Sequence, residues 1–115
     1  MKHNLKDILK ATCQVMNVSE EQITSNRRLK NYVIARHLFF YVAYQNYHTY
    51  YQIAHITNRN HATVIHGYNK IKHELEYYPE ISVYIKQIKS ILINVDLKWL
   101  NYHTINNNIN ISHTL

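Results

Sequence analysis

The chain of 115 residues holds one glycine, Gly67, and one proline, Pro79. A sheet protein turns sharply every few residues, and its turns lean on Gly, Pro and Asp for backbone angles that other residues resist. A chain this poor in them is predicted to be all-α, a compact set of helices joined by short polar links. Hydrophobic residues make up 46 % of the chain, enough for a modest core, and the length fits a single domain.

Apolar spacing places the helices. Leu5, Ile8, Leu9, Thr12, Cys13 and Met16 share one face, predicting a first helix over roughly residues 4–16. Ser19 and Gln22, three apart, form a capping-box pattern for a short second helix. A basic stretch, "TSNRRLKN", precedes a long helix from Leu29 to about Gln45, with Ile34, Leu38, Tyr41 and Val42 inward. Thr49 is placed to cap "YYQIAHI", and "TNRN" then makes a turn without glycine. Asn tolerates the left-handed backbone such a turn needs, so Asn58 is expected there. Asn60 starts a helix to about Tyr77, with Val64, Tyr68, Ile71 and Leu75 as its buried stripe and Ala62, His66, Asn69 and His73 opposite. Gly67, inside this helix, costs about 1 kcal/mol against alanine and marks a close approach by another backbone, of a helix or of a ligand. After Pro79, Ile81, Ile85, Ile88, Leu92 and Val95 form a seam on a helix over roughly residues 80–95. The Asn-rich tail 101–115 is expected to be frayed or weakly extended.

Charge is more telling in its placement than in its total of +6. Between Glu21 and Glu74 there is no Asp or Glu, while Arg27, Arg28, Lys30, Arg36, Arg59, Lys70 and Lys72 all fall there. Such a stretch attracts phosphate, with nucleic acid as the first partner and an anionic membrane surface as the second. A single cysteine excludes an intrachain disulfide and fits a reducing, cytoplasmic setting. No apolar run approaches the length of a membrane span or a secretory leader, so no membrane-embedded segment is expected and a soluble intracellular protein follows.

Enzyme chemistry finds little support. One glycine cannot build the phosphate loops of nucleotide hydrolases, and no paired carboxylates lie in the central stretch. Cys13 sits on an amphipathic face, as a core residue does. The nine histidines invite a metal, but His61 and His66 point roughly 140° apart on a helix, and no third ligand stands near His66 and His73. No cofactor, metal site or catalytic group is expected.

The better pattern is "YYQIAHI", "TNRN", "HATVIHGYNKI": a short helix, a four-residue turn and a second helix with a polar outer face. In a helix–turn–helix the second helix enters the major groove of duplex DNA and its first residues meet base edges. His61, Ala62, Thr63 and His66 would be those residues, with Arg59 and Asn60 near bases or phosphates. A plain polar helix face would look much the same.

The order and spacing of "NRNHATVIHGYNKI" resemble the signature of the C-terminal duplex-binding domain of the bacterial replication initiator DnaA, G-G-R-D-H-[ST]-T-V-[LI]-H-A followed by K-I. Arg59, His61, Thr63, Val64, Ile65, His66, Lys70 and Ile71 match as they stand. Upstream, "LKDILKATCQVMNVSEEQITSNRRLKNYVIARHLFFYVA" is similar to that domain's first helix, connector, basic loop and long helix, with Arg27, Arg28, Lys30 and Arg36 on its basic positions. The likeness covers roughly residues 4–76. It implies an all-α, Trp-repressor-like helix–turn–helix domain over residues 1–78, with 79–100 an added helix that packs on it or mediates association. It also implies that Arg28 reaches a minor groove, that Arg59, Asn60, His61, Ala62 and Thr63, beside Asn58 in the turn, meet the major groove, and that Arg36, His66 and Lys70 lie near phosphates or support them. The departures are Asn60 for an acidic residue, Ala62 for Ser or Thr, Thr57-Asn58 for Gly-Gly and Tyr51 near a usual proline. These point to an altered preference around an AT-rich site.

The resemblance therefore implies sequence-specific binding of double-stranded DNA inside a bacterial host cell, without ATPase activity. Origin recognition or transcription regulation would be its setting, in a phage or mobile element if the abundant Asn and Tyr reflect an AT-rich coding genome. A homodimer or a protein partner held through the Ile81–Val95 seam is the alternative.

Overall fold

The computed structural model describes residues 2–114, and the side chains of residues 2–104. Among them are six helices and no strand: α1 (Leu5–Met16), α2 (Glu20–Thr24), α3 (Lys30–Gln45), α4 (Tyr50–Thr57), α5 (His61–Glu74) and α6 (Pro79–Thr114). Helix starts follow local chemistry. Asn4 and Asn60 cap α1 and α5 through their side chains, and complete capping boxes open α2 (Ser19, Gln22) and α4 (Thr49, Gln52). Each satisfies backbone N–H groups that a helix start leaves without partners. Asn does glycine's work at two stops. Asn17 and Asn58 both take the left-handed conformation, at φ 54°, which few other side chains tolerate.

α3 is the central rod and touches α1, α2, α4 and α5. It buries Ala35, Leu38, Phe39, Phe40, Val42 and Ala43, more than one face's worth, as a helix surrounded by others does. Ile8 and Leu9 of α1, Ile23 of α2, Ile53 of α4, and Val64 and Ile71 of α5 close around it. Each such side chain contributes about 1.5–3 kcal/mol by leaving water. The start of the chain is tied in as well: the His48 ring nitrogen bonds the His3 carbonyl at 2.6 Å, and His3 lies 3.5 Å from Asp96 on α6.

Two boundaries depart from expectation. α5 ends at Glu74 rather than near Tyr77, because a proline at 79 disfavours helical backbone at Tyr78 and the chain turns through Glu76 and Tyr77 instead. α6 runs on to Thr114, through the tail expected to fray. Nothing after Pro79 is Gly or Pro, and asparagine lowers helix propensity by less than about 0.7 kcal/mol per residue, so no residue stops it. The predicted seam is confirmed in its first four members. Ile81, Ile85, Ile88 and Leu92 are buried, and α6 packs on α1. Val95 is 41 % exposed, and Ile93, Leu97, Trp99, Leu100 and Tyr102 are exposed with it.

Candidate nucleic-acid interface

α4, the turn and α5 form a tight corner. The Arg59 N–H donates to the Ala54 carbonyl at 2.9 Å, and the buried Thr57 hydroxyl donates to the Ile53 carbonyl at 2.8 Å. The Oδ1 of Asn60 accepts from the Thr63 N–H at 2.8 Å and from the Thr63 hydroxyl at 2.9 Å. Val64, Gly67, Tyr68 and Ile71 face inward, and His61, Ala62, Thr63, His66, Asn69, Lys70 and His73 face solvent. Gly67 does mark a close approach, though side chains make it rather than backbone. A Cβ there would stand 2.6 Å from Phe40 Cδ2 and 2.7 Å from His37 Cδ2, both on α3.

The loop between α2 and α3 exposes Asn26, Arg27 and Arg28, and Lys30 follows on the first turn of α3. Arg36 is different. It was expected near phosphates or supporting them, and only 5 % of it is exposed. Its Nε donates to the Ile23 carbonyl at 2.5 Å, and its Nη2 to those of Arg27 at 3.0 Å and Ser25 at 3.2 Å. Its place is therefore beneath the loop, because the carbonyls that follow a five-residue helix lack partners and a guanidinium supplies them. Arg59 is half-buried and also faces inward. Its Nη1 donates to the carbonyls of Thr57 at 2.8 Å and Thr24 at 3.3 Å, and its Nη2 to that of Ser25. Burial lowers the pKa of both guanidiniums from the usual arginine value, and the charge of Arg59 adds to the effect on Arg36. Among the described residues the ion pairs are His3–Asp96 and Lys6–Glu20, so no carboxylate offsets these two charges.

Between the loop and α5 runs a groove of about 550 Å³, walled by Asn26, Arg28, Arg36, Arg59, Thr63, His66 and Lys70, with Val33, His37 and Phe40 along α3. The fold thus gathers six of the expected residues around one concavity: Arg28, Arg36, Arg59, Thr63, His66 and Lys70. Asn60, His61 and Ala62 occupy the exposed cap and first turn of α5, outside the groove wall, and Asn58 is exposed in the turn. Arg27 is exposed on the loop, and Lys30 lines a neighbouring groove with Lys70 and Glu74.

Two polar groove residues, Asn26 and His37, are not singled out by the sequence, and Tyr51 appears there only as a departure from a usual proline. His37 follows Val33 by four residues on α3, a spacing that aims both at α5. Its ring lies 6.3 Å from that of His66. Burial first, then the charges of Lys70, His66, Arg36 and Arg59, push its pKa down to about 4, so it is neutral near pH 7. The Tyr51 ring packs on His61 at 4.7 Å and limits where that imidazole can point. Among the described residues no three His, Cys, Asp or Glu side chains come together as a metal would need, and no helix is long and apolar enough to cross a membrane. Burial raises the Cys13 thiol to about 11, which keeps it protonated and inert.

Two comparisons bear on this geometry. The family described as "Bacterial dnaA protein helix-turn-helix" matches residues 5–71, from the start of α1 to the last buried residue of α5. The chain is also 30 % identical over 90 residues to the chromosomal replication initiator protein DnaA of Bacteroides thetaiotaomicron. That match covers 76 % of this chain and 19 % of the relative, so the chain spans about a fifth of the relative's length.

Proposed function

Because the chain belongs to the bacterial DnaA helix–turn–helix family, we propose that it binds double-stranded DNA in a sequence-specific way. α5 lies in the major groove and Arg28 enters the adjacent minor groove. One observation carries this reading: the exposed first turn of α5 and the exposed Arg27–Arg28 loop flank a single groove with no carboxylate among its lining residues. Asn60, His61, Ala62 and Thr63 stand where base edges are met. His66 and Lys70, one and two turns on, stand where the DNA backbone passes, with Arg27 and Lys30 adding attraction at longer range. Arg36 and Arg59 act from beneath. The role is recognition of a site, at a replication origin or a regulated promoter, with no nucleotide hydrolysis in it. An AT-rich phage or mobile element is a setting that suits the composition.

Selection of bound duplexes from a random pool at about 150 mM salt, where exposed charges are screened over about 8 Å, tests the proposal. An enriched motif supports it. Equal affinity for every duplex sinks the site-specific part.

A second reading is favoured by the exposed Ile93, Val95, Leu97, Trp99, Leu100 and Tyr102 of α6. With Ile81, Ile85, Ile88 and Leu92 spent on the core, these exposed side chains are available to hold a second copy of the chain, and a dimer would pair two half-sites. Sedimentation equilibrium across concentration decides it, and a monomer throughout removes it.

A further inference from the structure

Arg36 and Arg59 come from different elements and converge on one short piece of backbone. We propose that they are positioning residues: together they pin the loop from Thr24 to Arg28, and Arg59 locks that loop to the entrance of α5. Their effect is to fix how far Arg28 lies from the first turn of α5, and so the register between minor-groove and major-groove contacts. The proposal rests on the DNA-binding reading above.

The chemistry begins with α2. It ends after five residues, at Thr24, so the carbonyls of Ile23, Thr24 and Ser25 have no following helical N–H groups to accept from. Arg36 supplies Ile23 and Ser25 from α3, and Arg59 supplies Thr24 and Ser25 from the α4–α5 turn. The Ser25 carbonyl accepts from both. The same Arg59 guanidinium also holds the Thr57 carbonyl, three residues before Asn60. One rigid planar fork thus spans the reading helix's entrance and the loop. A lysine offers a single nitrogen on a flexible stem and cannot make the same set of contacts. Arg36 continues to the Arg27 carbonyl at 3.0 Å, next to Arg28 itself.

A residue that merely attracts phosphate and one that places Arg28 behave differently. The experiment uses the whole chain as wild type, Arg28→Ala, Arg59→Lys, Arg59→Gln, and the two Arg59 variants in the Arg28→Ala background. Affinity for the best duplex from the random pool is measured below each variant's melting temperature. Arg59→Lys keeps the charge and loses the fork, and its expected loss of affinity is about tenfold, within the range for residues coupled through shared contacts. That loss should largely vanish once Arg28 is alanine. Repeated selection with Arg59→Lys should blur the base pairs that Arg28→Ala also blurs and leave those read by α5 sharp. Wild-type affinity for Arg59→Lys, or losses that add to that of Arg28→Ala, overturns the proposal. Hydrogen exchange of the Asn26–Lys30 amides without DNA gives a second readout. Faster exchange in Arg59→Lys than in wild type supports the clamp, and unchanged exchange overturns it even if wild type prefers no duplex. That last result, no preference in wild type, would by contrast remove the DNA-binding reading itself.

Discussion

At Asn60 the Oδ1 is occupied twice, by the backbone N–H and the hydroxyl of Thr63, which leaves the amide nitrogen as the end facing outward. An aspartate here would cap α5 equally well, and its charge at a helix N-terminus is worth about 0.3–1 kcal/mol more. It would, however, offer an acceptor where Asn60 offers two N–H donors. Asn60→Asp is therefore expected to keep or raise the melting temperature while moving preference at one base pair toward cytosine, whose amino group donates, by about 1–3 kcal/mol. Repeating the selection with the variant checks this, and an unchanged motif would mean that Asn60 touches no base. Such a residue was legible in sequence because cap, turn and first helical residues lie side by side in it. Arg36 and Arg59 were not. Their partners lie up to 35 residues away, and a sequence lists two cations without saying that both turn inward.

Among the elements, the α3–α5 contact is the one on which the groove depends. Gly67 lets α5 sit against Phe40 and His37, and a methyl there would fall within 2.7 Å of both rings. Phe40 is fully buried, so its ring can shift only by disturbing the core or the groove it lines. Gly67→Ala should gain about 1 kcal/mol of helix propensity and lose more to overpacking, which costs roughly 1–3 kcal/mol. Urea denaturation should show a net destabilisation, and a stabilised variant would show that the two helices can part freely. His37 on the same contact makes the fold sensitive to acid. Its folded pKa, about 4 against an ordinary 6.5, means that the unfolded chain takes up the proton first as pH falls. The stability it contributes is full above pH 6.5, is lost between 6.5 and about 4, and changes no further below. The fall in unfolding midpoint over that window should be smaller in His37→Gln, and an equal fall in both proteins would exclude His37 as its source. Helix starts were readable because each cap is chemistry within four residues. Gly67's neighbours and the far end of α6 were not, since the first depends on which helix lies across it and the second has no stop residue to read.

The whole molecule extends to 59 Å in its longest dimension and 29 and 23 Å in the others, and α6 alone has 36 residues. Its first half belongs to the fold: Ile88→Ala should cost about 2–5 kcal/mol, as truncation of a fully buried side chain does. A chain stopped after residue 100 should keep its melting temperature and its DNA site. A collapse of either would mean that the distal stretch is structural. The convergence of two guanidiniums on the Ser25 carbonyl, with no carboxylate beside them, has one more consequence. The folded protein holds a self-repulsion that the unfolded chain escapes, and a bound polyanion relieves it. Duplex DNA should then act as a folding ligand, adding about 2.7 kcal/mol when its free concentration is a hundred times the Kd. On the DNA-binding reading, nucleic acid in the cell would be part of what keeps this chain folded, and a copy without it would unfold more often.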